Sequence, residues 1–203
     1  MKNYLLIVFF LLCSSGMKAQ NTPLWLRYSA ISPDGSQIAF CYKGDIFKVP
    51  TTGGRALQLT THPGHDTRPV WSSDGKSIAF ASDREGGFDV FIMSSEGGTP
   101  KRLTTHAANE YPVVFKDAEH ILYQASILPD SQDGEFPSSL YPQVYEISTS
   151  GGQPSLFSSL TMEDMSIDHT GKKILYHDKK GYEDPWRKHH QSSITRDIWM
   201  YEP

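Results

Sequence analysis

One segment recurs along this chain, and that recurrence limits the fold more than any other feature. Its fullest copy runs Trp71-Ser72-Ser73-Asp74-Gly75-Lys76-Ser77-Ile78-Ala79-Phe80, then Asp89-Val90-Phe91-Ile92-Met93, then Gly97-Gly98 and Leu103-Thr104-Thr105-His106. An earlier copy reads Ile31-Ser32-Pro33-Asp34-Gly35-Ser36-Gln37-Ile38-Ala39-Phe40, with Asp45-Ile46-Phe47-Lys48-Val49, Gly53-Gly54 and Leu59-Thr60-Thr61-His62. Later copies are more worn. Phe115-Lys116-Asp117-Ala118 leads to His120-Ile121-Leu122-Tyr123 and Gln143-Val144-Tyr145-Glu146-Ile147, and Ile167-Asp168-His169-Thr170-Gly171 leads to Ile174-Leu175-Tyr176 and Asp197-Ile198-Trp199-Met200-Tyr201. Short apolar runs separated by turn residues, repeated at this period, are the signature of a β-propeller with four strands per blade.

The local chemistry agrees. Pro33-Asp34-Gly35 and Asp74-Gly75 are turn sequences, because glycine accepts the positive φ that a residue with a Cβ resists. Val90 and Ile92 point one way along a strand and Phe91 and Met93 the other, yet all four are apolar. A sheet wet on one face would alternate with polar residues, so this strand is expected to be covered on both faces, as blades are by their neighbours. The fold class is therefore all-β: a propeller of four-stranded antiparallel blades, as an incomplete array of three full blades and most of a fourth. The blades are placed at 25–62, 67–106, 110–157 and 163–203.

Two copies carry inserts between their second and third strands, at 128–141 and 178–195. The second holds Tyr182, Trp186 and Arg187 together in a polar stretch. Aromatic and arginine side chains dominate interface energetics, so these three are interaction candidates. Ala118 replaces the turn glycine of the third copy and predicts a changed turn there. The fourth copy lacks an outer strand, and its open edge predicts marginal stability or association between copies of the chain.

Residues 1–19 read as a signal peptide: Lys2, an apolar run over 4–12, and Met17-Lys18-Ala19 at its end. That run is too short for a permanent membrane span, and no second one follows. Leu12 before Cys13 fits lipoprotein processing poorly, so the periplasm of a Gram-negative bacterium is favoured over a lipid-anchored or secreted form. Removal of the leader leaves Cys41 without a disulfide partner, as a small buried apolar residue. The net charge of −4, with signs interspersed, argues against a nucleic-acid footprint.

The repeat of 71–104, together with the insert Gly181-Tyr182-Glu183-Asp184-Pro185-Trp186-Arg187-Lys188-His189-His190 and the following Thr195-Arg196-Asp197-Ile198-Trp199, resembles the propellers of exported tricorn-like serine peptidases, of the tail-specific protease superfamily. The repeats alone also resemble those of TolB and of the prolyl oligopeptidase group. The tricorn resemblance implies a six-bladed first propeller, a second propeller, a PDZ-like module and a catalytic core further on. It implies that this segment gates or orients peptide substrates and that the later core cuts them. No position here matches the motif of that core, and no catalytic residue is assigned. Two other readings stay open. One is a TolB-like module for protein interactions in the cell envelope. The other is the propeller of a dipeptidyl-peptidase or prolyl-oligopeptidase-type hydrolase.

Chemistry within the segment is sparse. There is no Gly-x-Ser-x-Gly elbow. His62 and His106 recur at equivalent places, which marks them as structural. His62 with His65, and His189 with His190, lack a spaced third ligand for zinc, and the arginine in Asp83-Arg84-Glu85 argues against calcium. No metal or cofactor is expected. Innermost strands line a propeller's channel, so Arg68, Glu110 and Tyr111 are the channel candidates. The expected partners are peptide or protein substrates and later domains of the same polypeptide.

Overall fold

The computed structural model describes residues 25–127, 142–168, 172–177 and 197–202. Residues 1–19, the two inserts and with them Tyr182, Trp186 and Arg187 lie outside the described residues.

Among the described residues, fifteen strands form four antiparallel sheets that follow one another around a common axis as propeller blades. The first contains β1 (Arg27–Ile31), β2 (Gln37–Tyr42), β3 (Asp45–Pro50) and β4 (Leu57–Gln58). The second contains β5 (Asp66–Trp71), β6 (Ser77–Glu85), β7 (Gly87–Ser94) and β8 (Lys101–Arg102). The third contains β9 (Glu110–Phe115), β10 (His120–Ala125), β11 (Gln143–Ser148) and β12 (Ser155–Ser158). The fourth has three described strands, β13 (Glu163–Ile167), β14 (Ile174–His177) and β15 (Ile198–Tyr201). Each sheet pairs its strands in chain order, and β1, β5, β9 and β13 form the inner edges.

The turn residues act as their chemistry dictates. Asp34 Oδ1 accepts from the Ser32 hydroxyl at 2.6 Å and from the Ser36 amide at 3.0 Å, and Asp74 repeats this with Ser72 and Lys76. Gly35 and Gly75 sit at φ 71° and 70°, where a Cβ would be strained. In the third blade the turn is one residue tighter. The Lys116 amide bonds to the His120 carbonyl, whereas Ser32 reaches Gln37, and Asp117 accepts from the amides of Glu119 and His120. That is the changed turn expected from Ala118.

The Leu-Thr-Thr-His ending is equally structural. Leu59 and Leu103 are core residues. Thr60 Oγ1 accepts from the buried Ile46 amide at 3.0 Å, and Thr104 Oγ1 from Val90 at 2.9 Å. His62 Nδ1 and His106 Nδ1 each accept a backbone amide two residues on, from Gly64 and Ala108.

Blade two is buried on both faces, as its unbroken apolar strand requires. Ile78, Phe80, Phe91 and Met93 join Ala39, Cys41, Ile46 and Leu59 in the core between blades one and two. Ala79, Val90 and Leu103 face the other way and join Phe115, Ile121, Tyr123 and Ile147. Phe80 and Phe91 stack at 5.9 Å inside the first of these cores. Trp71 Nε1 donates to the Ala30 carbonyl at 3.0 Å and ties the two inner strands together.

Two blade faces show what that packing would otherwise cover. Leu175, Ile198 and Met200 occupy the register positions of Ala79, Val90 and Ile92, yet are 48%, 72% and 56% exposed. On blade one, Ile38, Phe40, Phe47 and Val49 occupy the positions of Ile78, Phe80, Phe91 and Met93 and line a groove of about 610 Å³.

Candidate functional site

The inner strands share a bulge. In β1, β5, β9 and β13 two residues lie opposite one of the neighbouring strand, and the register shifts there. A bulge kinks its strand and re-aims a side chain. The first bulge residue is Tyr28, Arg68 or Asp164, at φ 50°, 51° and 49°; the third blade has Pro112 there instead. Proline holds φ near −65°, so that bulge forms without a left-handed residue.

Tyr28 of blade one, Arg68 of blade two and Tyr111 of blade three meet across the inner edge. The Arg68 guanidinium lies 4.3 Å from the centre of the Tyr111 ring and 5.6 Å from that of Tyr28. Phe88 packs on Tyr111 at 5.3 Å and His65 on Phe88 at 6.1 Å, which extends the layer. A cleft of about 620 Å³ opens over these residues and is also walled by Trp25, Arg27, Tyr42 and Lys43. Lys43 and Gly44, at φ 53° and 89°, make the two-residue turn between β2 and β3. Such turns need positive φ at both positions, and this one places the Lys43 ammonium at the cleft.

The electrostatics are one-sided. Arg27, Lys43 and Arg68 line the cleft, and among the described residues no Asp or Glu does. Among the described residues none of these three cations has a carboxylate within 4.0 Å. They rest on rings instead: Arg27 on Trp25 at 5.0 Å, Lys43 on Tyr42 at 5.3 Å, and Arg68 on its two tyrosines. Ring faces attract cations without neutralising them, so the charge remains available to a ligand. Burial raises the Tyr111 hydroxyl above its ordinary pKa, opposed by Arg68 and reinforced by Tyr28.

The described side chains at the cleft include no activated thiol. Cys41, at its floor, is free, and burial pushes its thiol up to about 11, so it stays protonated and a poor nucleophile. Among the described residues no cluster of three His, Cys, Asp or Glu side chains could hold a metal ion.

Of the channel candidates, Arg68 and Tyr111 come together here. Glu110 does not line the cleft: it is 1% exposed, inside the contact between blades two and three. Adjacent residues of a strand point to opposite faces, so Glu110 and Tyr111 part company. Trp25, Arg27, Tyr28, Lys43 and Phe88 were not singled out by sequence reasoning. The bulge offered one signal, since Tyr28 stands in the repeat where Arg68 does.

Comparison with known proteins accords with the repeat. The profile of the tricorn protease N-terminal β-propeller domain matches residues 23–203. The chain belongs to this family. The tricorn-type propeller here is 34% identical over 89 residues to tricorn protease homolog 1 of Streptomyces coelicolor, covering 44% of this chain and 8% of that protein. It is 33% identical over 108 residues to the uncharacterised peptidase YuxL of Bacillus subtilis, covering 47% of this chain and 16% of the relative. It therefore spans less than a fifth of either relative. Among solved structures, a putative TolB from Agrobacterium tumefaciens superposes with a TM-score of 0.64 at 21% identity, over 87% of this chain and 61% of that one. The tricorn protease superposes at 0.52 and 12% identity, over 78% and 19%. Both show the shared propeller fold. No helix among the described residues is long and apolar enough to cross a membrane.

Proposed function

We propose that this propeller is the substrate-handling part of a larger exported, tricorn-like serine peptidase, and that it gates or orients peptides for a catalytic core elsewhere in the polypeptide. The observation that carries the reading is the cleft over β1, β5 and β9, with three cations, several aromatic rings and, among the described residues, no acid. Rings accept apolar side chains of an extended peptide, and the unpaired cations select carboxylates along it. The exposed apolar faces of blades one and four are, in this reading, surfaces for further blades of the same polypeptide or for a second copy. Family membership supports the peptidase context, and the reading of 1–19 as a signal peptide supports a periplasmic one.

Calorimetric titration of the full chain tests this with two short peptides that differ only in Glu against Gln. The Glu peptide is expected to bind at least ten-fold more tightly, with the difference falling as salt screens the cations. Arg68→Ala is expected to remove the preference. Equal affinity for the two peptides would overturn the assignment of the cleft. Peptide turnover by this chain, lost on substitution of one serine, would overturn the division of labour.

A further inference from the structure

The contacts between blades one and two and between blades two and three use the same positions, and one of them has lost its arginine. Asp66 and Glu110 open the inner strands opposite Ser82 and Ala125. Asp45 and Asp89 open the third strands opposite Tyr42 and Ser82. Each contact therefore contains two carboxyl groups. At the first, Arg84, two residues past Ser82, holds Asp66 through Nη2 at 2.8 and 3.0 Å. The residue two past Ala125 is Ile127. The second contact has its arginine elsewhere: Arg102 replaces Gln58 on the outer strand, with Nη2 2.8 Å from Asp89 Oδ2.

Among the described residues Glu110 is left buried without a cation, and its Oε2 has no hydrogen-bond partner there. Asp89 faces it from β7, and Tyr123 and Tyr145 from β10 and β11. The Thr104 hydroxyl and the His106 backbone reach it from the connection after β8. Glu85, at the end of β6, acts on Asp89. The other strands against β9 carry Asp66 and Arg68 on β5 and Glu163 and Asp164 on β13. Asp66 is held by Arg84, and Arg68 lies over the tyrosine rings. Tyr123 stands where blade two has Phe80, so the added hydroxyl is brought beside the acid that lacks an arginine.

A carboxylate charged in this place is desolvated and faces a second acid, whereas a protonated one costs little to bury. We propose that Asp89, Glu110 and Tyr123 form a proton-operated latch between blades two and three. Glu110 is protonated when the latch is closed, and the contact loosens as the medium rises toward neutrality and favours the ionised, opened form. Burial first, then Asp89, pushes the Glu110 pKa up to about 7, and burial raises Asp89 as well. The folded value lies above the ordinary 4.5, so the stabilisation is complete below that pH and is lost as pH rises through about 7. Tyr111 is the next residue on β9, so a loosened latch also shifts one wall of the cleft.

Hydrogen exchange of the full chain between pH 5 and 9, corrected for the intrinsic base catalysis of exchange, reads the latch directly. The expected result is that opening of β9 and β7 grows by up to about ten-fold per pH unit between 5 and about 7 and levels off above it, while β2 and β3 stay flat, as release of one proton on opening requires. Glu110→Gln is expected to flatten β9 and β7, and Ile127→Arg to reduce their slope by restoring the arginine of the first contact. A slope in Glu110→Gln equal to that of the unaltered chain would overturn the proposal. Should that variant fail to fold, an unchanged slope in Ile127→Arg would overturn it equally.

Discussion

Replacing Arg84 with isoleucine would impose on the first blade contact what Ile127 has done to the second. Asp66 is 0% exposed and the Arg84 side chain 11%, so the pair is buried and hardly screened by solvent. Removing one partner of a buried ion pair costs about 3–5 kcal/mol, because the remaining charge is left uncompensated. The guanidinium also lies 4.7 Å from the centre of the Phe91 ring, a contact that adds roughly 0.5–1 kcal/mol. With a urea dependence of about 2 kcal/mol per molar, a loss near 4 kcal/mol lowers the midpoint by about 2 M. Urea unfolding at pH 8, followed by tryptophan fluorescence, measures this. One further result follows from the same physics. Changing both partners, Asp66→Leu with Arg84→Ile, removes the buried charge and should recover most of the loss. A single variant within about 1 kcal/mol of the unaltered chain would refute the reasoning. So would a double variant as unstable as the single one.

Thr60→Val and Thr104→Val each strand a buried amide, of Ile46 and Val90, and are expected to cost about 1–3 kcal/mol apiece by the same unfolding assay, with Thr→Ser recovering most of it. A Cβ on Gly64 would sit 2.9 Å from Arg84 Cα and 2.9 Å from Asp83 Oδ1, so Gly64→Ala must move backbone and should lower stability by about 1–3 kcal/mol. Gly87→Ala, whose first contacts would lie at 3.5 Å, is the control and should stay within about 0.5 kcal/mol in thermal melts.

The repeat made the fold legible because a blade's local requirements are written into each copy. Asp34 and Asp74 make the same turn, Thr60 and Thr104 satisfy the same amide, and His62 and His106 close the same connection. The cleft was only partly legible. Arg68 and Tyr111 follow from the rule that inner strands line the axis, but that rule chooses residues by strand and not by face. It therefore admitted Glu110, whose side chain turns into the blade contact. Trp25, Lys43 and Phe88 reach the cleft from a lead-in, a hairpin turn and the start of a third strand, places no strand rule covers.

Agreement between copies therefore locates scaffold, and disagreement at one structural position locates what is particular to this protein. The bulge position holds Tyr28, Arg68, Pro112 and Asp164 in the four blades. The backbone asks for a kink there and leaves the side chain free, so the residue is available for binding. The arginine position holds Arg84 in blade two and Ile127 in blade three. There the backbone asks for nothing, yet the buried acid beside it does, so a change of side chain converts a fixed ion pair into a titratable group. The two divergences meet at β9, where Glu110 enters the contact and Tyr111 enters the cleft. A propeller that joins these two sites through adjacent residues of one strand can couple the protonation of its interior to the shape of its binding surface.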